Sequence, residues 1–257
     1  MSDRVLTQHS KFCIVYVNGA YYGIYCMKEN VSEKLYAAWA GVDRSSVETA
    51  VPHDGEPESY AEMYSFIKSS DMADPENYRR ACEMLDIDSF IDWVIVEGVS
   101  ANMDLFRNVK FFRSTETDGR YQMVLFDLDG AMKEIAPWAC VFFNKTDIGY
   151  GNTNASNILD SLLRNTDFRA AFLRRYGEVY KTVLSNERIL ERVDCYESLL
   201  RPEIERDRAR WSYGTWQWEY AVSELRLKIT AKDWENECLR CLDAYISLTD
   251  AERAAYF

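Results

Sequence analysis

Two β-rich runs, residues 109–113 (Val-Lys-Phe-Phe-Arg) and 121–126 (Tyr-Gln-Met-Val-Leu-Phe), stand on either side of the polar segment 114–119, which ends in Asp-Gly. Aromatic and branched residues suit a pleated surface and the polar segment suits a turn, so the pattern predicts an antiparallel pair. Such a pair returns the chain to its start, and Asp104 and Asn108 therefore enter at the end where Asp127 leaves. Carboxylate and amide oxygens at those two stations, with Asp129 close behind, suit a hard divalent cation such as Mg²⁺. Plainer roles exist for each. Asp104 and Asp127 can cap elements, Asn108 can bond a turn backbone, and Asp129 can belong to an Asp-Gly turn.

Upstream, residues 12–17 and 21–25 flank Asn18-Gly19, a strong hairpin signal because both turn positions tolerate positive φ. Lys28 and Glu29 follow the second strand, and residues 31–40 read as helix. Pro52, Gly55 and Pro57 make 41–57 read as a surface loop. Residues 59–69 read as helix, and Asp74-Pro75 as a cap with Pro at the first helical position. A longer helix from near Asp88 carries Phe90, Ile91, Val94, Ile95 and Val99 at helical spacing and delivers the chain to Asn102 and Asp104. Segment 130–157 is mixed. Beyond it, residues 158–163, 167–184, 186–209, 216–242 and 250–256 are helical in pattern, with Pro202 expected to start or kink a helix.

Composition narrows the function classes. A hydrophobic content of 47% over 257 residues is enough for a sizeable core. The formal net charge of −12 counts against a nucleic-acid surface, which needs clustered Lys and Arg, and favours a basic partner. No apolar run approaches a membrane span, and the N-terminus lacks a secretory leader layout, so a soluble chain is expected. The odd count of seven scattered Cys fits a reduced compartment better than a disulfide framework, with secretion left open. Cys238 and Cys241 have half the spacing of a zinc site but no second pair, so ordinary thiols are expected. His9 and His53 lie in segments that read as flexible, without a nucleophile partner. Trp211, Trp216, Trp218 and Trp234 read as helical core, or else as a carbohydrate-binding surface.

In order along the chain, several segments resemble the spore coat protein H (CotH) family of atypical kinases. They are Val15-Tyr16-Val17-Asn18-Gly19-Ala20-Tyr21-Tyr22-Gly23-Ile24-Tyr25 with Lys28-Glu29, Ser89-Phe90-Ile91-Asp92, Asn102-Met103-Asp104 with Asn108, and Phe126-Asp127-Leu128-Asp129-Gly130. Residues 162–169 and 202–211 extend the likeness over nearly the whole chain. The resemblance implies one α+β, divergent protein-kinase-like domain over 1–257. In it, 1–40 are what remains of an N-terminal lobe, and 41–257 form a mainly helical lobe with the metal site.

The activity implied is transfer of the ATP γ-phosphoryl group to Ser or Thr of a protein acceptor, a spore coat protein among the candidates, with Mg²⁺ and ATP required. By the same resemblance Asp104 is the catalytic-loop Asp, Asn108 and Asp127 hold the metal, and Asp129 assists. Two departures weigh on this. No Gly-rich phosphate loop is present, and Lys28 is only a partial substitute for the strand lysine that Glu29 would partner. A catalytically weak or inactive scaffold of the same fold is the alternative, and an N-terminal lobe lacking part of its length is expected.

Overall fold

The hairpin predicted around Asn18-Gly19 forms. A computed structural model describes residues 4–52, 56–132, 136–142, 154–213, 215–231 and 233–257. After the short strand β1 (Leu6–Thr7), β2 (Ser10–Val17) and β3 (Ala20–Lys28) pair antiparallel, with Asn18 at φ 51° and Gly19 at φ 79° in the turn. Helix α1 (Glu33–Ala40) follows, ended by Gly41 in the left-handed conformation. Residues 41–57, read as loop, then differ from expectation: β4 (Val47–Ala50) lies within them. Four residues beside Pro and Gly give little local signal; β4 exists because it pairs antiparallel along residues 111–114, where Glu48 also takes two hydrogen bonds of 2.8 and 3.1 Å from the Arg113 side chain.

Helices α2 (Glu58–Ser69), α3 (Pro75–Met84) and α4 (Ile87–Ser100) come next, α3 with the predicted Asp74 cap. Strands β5 (Phe111–Ser114) and β6 (Gln122–Leu125) form the predicted antiparallel pair. The sheet order is β1-β6-β5-β4, with β1 parallel to β6. Tyr36 of α1 stacks on Phe112 at 5.5 Å, which covers one face of this sheet. The other face meets α4.

The remainder is helical: α5 (Ala139–Phe142), α6 (Asn154–Leu162), α7 (Thr166–Thr182), α8 (Asn186–Trp211), α9 (Thr215–Ala231), α10 (Trp234–Ile246) and α11 (Asp250–Tyr256). Two expectations are corrected here. Segment 216–242 is two helices, parted near Asp233, whose φ is 49°. Pro202, expected to start or kink a helix, lies inside α8. Trp234 is in the core, whereas Trp211 is an exposed residue and Trp218 a half-buried one under the Arg201 guanidinium; the Trp216 side chain lies outside the described residues. Of the histidines, His53 lies outside the described residues.

Helix α4 is the axis of the core. Periodicity suggested one apolar face, yet Phe90, Ile91, Trp93, Val94 and Ile95 are all buried, and so are Ser89, Asp92 and Glu97. Three polar residues in such a helix require partners, since an unpaired buried polar group costs about 1–3 kcal/mol. Ser89 Oγ accepts the Met123 amide of β6 at 2.9 Å, and Asp92 takes a two-bond pair from Arg175 of α7 at 2.6 and 2.9 Å. Glu97 bonds the chain just beyond the helix. A closer approach is made at Gly98, where the indole of the buried Trp138 fills the space a Cβ would need.

The β2–β3 hairpin is docked differently, on the outside of α8. Asp207 Oδ1 accepts the Ile24 amide at 2.8 Å, and Gly23 leaves no room for a side chain, because a Cβ there would stand 2.7 Å from Trp211 Nε1. Arg206 lies over the Tyr21 ring at 4.1 Å and Arg210 over Tyr22 at 5.3 Å, so both arginines serve the docking of the hairpin.

Candidate active site

The site is built where α4 ends and β6 ends. Ala101 caps α4 in the left-handed conformation, φ 51°, and turns the chain into Asn102-Met103-Asp104. A 3-10 turn, Leu105–Arg107, leads to Asn108 and on to β5. At the other station Asp127 is itself left-handed, φ 54°, and opens a second 3-10 turn, Leu128–Gly130. Non-glycine residues adopt this conformation rarely, and such outliers gather where surrounding structure over-determines the backbone.

The two stations touch. Asn108 Nδ2 donates to the Asp127 carbonyl at 3.1 Å, and the Met103 amide donates to the Gly130 carbonyl at 3.2 Å. Gly130 is buried against the first station: a Cβ on it would lie 2.7 Å from Asn102 Oδ1 and 3.3 Å from Asp104 Oδ2. Sequence reasoning placed Asp104, Asn108 and Asp127 at one end of a hairpin, and the structure brings their loops into hydrogen-bond contact. Asp129 is exposed on the second turn.

One carboxylate at this end is paired with a lysine. Lys28, at the end of β3, has its Nζ 3.8 Å from Asp127 Oδ1. Lys110, which sequence reasoning passed over, lies with its Nζ 3.4 Å from the Val31 carbonyl and 5.3 Å from the centre of the Phe126 ring. Its signal was its position two residues beyond Asn108, because alternate residues of an extended chain share a face. Glu29 takes a different partner from the lysine expected. Its carboxylate accepts the His9 amide and faces His9 Nδ1, each at 2.9 Å, and that backbone bond, with the imidazole, holds Glu29 below the usual carboxylate range.

Beneath the loops lies a buried carboxyl. Glu97 is 1% exposed, and burial pushes its pKa up to about 8, against a smaller lowering by the Asn102 amide. Cys140 of α5 is a neighbour. Burial, then the Glu97 and Asp104 carboxylates, push its thiol up to about 11, so it is held protonated. Cys238 and Cys241, buried on α10, are free thiols.

Among the described residues no group of three or more His, Cys, Asp and Glu gathers in metal-binding proximity. The donors present are fewer and all oxygen: the carboxylates of Asp127 and Asp104 and the amide oxygen of Asn108, whose nitrogen is already spent on Asp127. That set fits Mg²⁺, which keeps several waters and takes one or two carboxylates plus substrate phosphates, and does not fit zinc.

A small sheet with its acidic stations on one β-ladder end, followed by a mainly helical region, defines a divergent kinase-like α+β protein. The match of residues 3–235 to the family model described as CotH kinase protein places it: the chain belongs to the CotH kinase family. No curated protein matches it.

Proposed function

We propose that this chain is a protein kinase that transfers the ATP γ-phosphoryl group to Ser or Thr of an acceptor protein. The observation that carries the reading is the contact between the stations, Asn108 Nδ2 to the Asp127 carbonyl with Asp104 beside Gly130, in a chain of kinase family. Phosphoryl transfer asks little covalent work of a protein; it needs positioned oxygens, charge stabilisation and an oriented hydroxyl.

Asp104 has the role of accepting the hydrogen bond of the acceptor hydroxyl and pointing its oxygen at phosphorus. Asp127 and the Asn108 amide oxygen would hold Mg²⁺, with Asp129 as an auxiliary carboxylate. The metal when bound supplies neutralisation of phosphate charge. Lys28 and Lys110 supply two cations on the same side, where the nucleotide phosphates would be met, and Glu29 fixes the end of β3 beside Lys28 through His9. A basic, Ser-rich acceptor, such as a spore coat protein, complements the net charge of −12.

Incubation with labelled ATP, Mg²⁺ and a basic Ser-rich protein is expected to transfer label, and Asp127→Ala to abolish it. Equal labelling by Asp127→Ala would sink the assignment. The ion pair of Lys28 with Asp127 favours a second reading, a nucleotide-binding scaffold without transfer. Calorimetric binding of Mg²⁺ and ATP with no label transferred would select it.

A further inference from the structure

The functional reading leaves Asn102 and Glu97 without a role, although they lie directly under Asp104. Asn102 is fully buried, and both ends of its amide are spent. Nδ2 donates to Glu97 Oε2 at 2.9 Å, and Oδ1 accepts the Asp104 amide at 3.2 Å. Glu97 has one job visible among the described residues, since its other oxygen, Oε1, is buried with no partner there. A helix this apolar gains nothing from a carboxyl inside it unless the bond it makes is needed elsewhere.

The bond is made to the residue that orders both stations. Rotation of the Asn102 amide would break its hold on the Asp104 backbone and move Oδ1 off Gly130, which closes against it with no space for a methyl group. The backbone adds a parallel link, from the Met103 amide to the Gly130 carbonyl at 3.2 Å.

We infer that Glu97 and Asn102 are positioning residues: Glu97 fixes the Asn102 amide, and Asn102 sets the Asp104 loop against Gly130 and hence the spacing of the two acidic stations. The inference rests on the kinase reading for its catalytic consequence, but not for its structural one. Neither residue touches the reacting atoms. Their loss lowers the frequency of productive geometry, and a misplacement of about 1 Å at such a site can cost about a hundredfold in rate.

The test compares Asn102→Ala, Glu97→Leu and Glu97→Gln in the full chain, by two readouts. In amide hydrogen exchange, Asn102→Ala and Glu97→Leu are expected to speed exchange at Met103 and Asp104 at least about tenfold while central α4 amides keep their protection. Glu97→Gln, which preserves an acceptor oxygen for Asn102, restores most of that protection. In label transfer from ATP, kcat falls about ten- to a hundredfold in the first two variants with KM for ATP little changed, and Glu97→Gln again recovers most of the loss. Wild-type exchange at Asp104 in Glu97→Leu overturns the inference, and so does equal loss of protection along the whole of α4, which would mark a merely structural role. A wild-type chain that transfers no label overturns the kinase reading instead, and the exchange readout still decides whether Glu97 and Asn102 hold the loop.

Discussion

Two glycines meet the same steric limit in different parts of the molecule. A Cβ on Gly130 would stand 2.7 Å from Asn102 Oδ1, and one on Gly23 would stand 2.7 Å from Trp211 Nε1. Around Gly130 the neighbours are the buried Asn102 and the half-buried Asp104, and each bond fixes the next. Around Gly23 they are the exposed Trp211 indole, the Tyr25 ring of the hairpin itself and the Asp207 carboxylate, which also accepts the Ile24 amide. The difference teaches where precision is kept. The acidic stations are held by a chain of hydrogen bonds through buried side chains, whereas the hairpin is held by one such bond, to Asp207, and for the rest by ring and arginine contacts at the surface.

The comparison breaks most decisively at Gly130. Gly130→Ala is expected to lower kcat for label transfer about a hundredfold, through displaced Asp104 and Asn102, with a smaller effect on thermal stability. Loss of stability with unchanged turnover would reverse the contrast.

A second expectation concerns pH. Glu97 titrates near 4.5 when unfolded and about 8 when folded, because burial disfavours its charge. Below the lower value both states carry the proton and stability is unaffected. As pH rises between the two, the unfolded chain releases a proton that the native chain retains, so stability falls, by a few kcal/mol in all at about 1.4 kcal/mol per pKa unit. Above about 8 the loss is constant. Melting scans across that range should show Glu97→Gln gaining on the wild type as pH rises.

On the surface side, Gly23→Ala is expected to cost about 1–3 kcal/mol by overpacking against Trp211, aggravated by φ 151°, and to change turnover less than stability. Arg206→Ala should be smallest, about 1 kcal/mol from its contacts with Tyr16 and Tyr21, read as a modest fall in melting temperature. If Arg206→Ala cost more than Gly23→Ala, the arginine rather than close backbone packing would be what docks the hairpin.

Legibility in the sequence followed locality. Asn18-Gly19, the Asp74 cap and the two runs of β5 and β6 were read because the signals lie within a few residues of one another. Asp104, Asn108 and Asp127 could be brought to one end by that same hairpin logic. Strand β4 was taken for loop because what makes it a strand is its pairing with β5, far along the chain. The parting of α9 from α10 escaped because 216–242 is helical in pattern throughout. Lys110 and Glu97 were passed over since a lysine beside a strand and a glutamate in a helix look ordinary until their surroundings are known.

The sequence by itself determined the element types, the turn that returns Asp127 to Asp104 and Asn108, and the family likeness, because periodicity, turn chemistry and motif order are written along the chain. The tertiary structure alone decided that β1 joins β6, that α4 is buried on nearly all sides, and that Glu97, Asn102 and Gly130 lock the stations together. The physical reason is burial. A carboxyl or an amide acquires its role from the partners and the water that packing leaves it, and residues distant in sequence supply both.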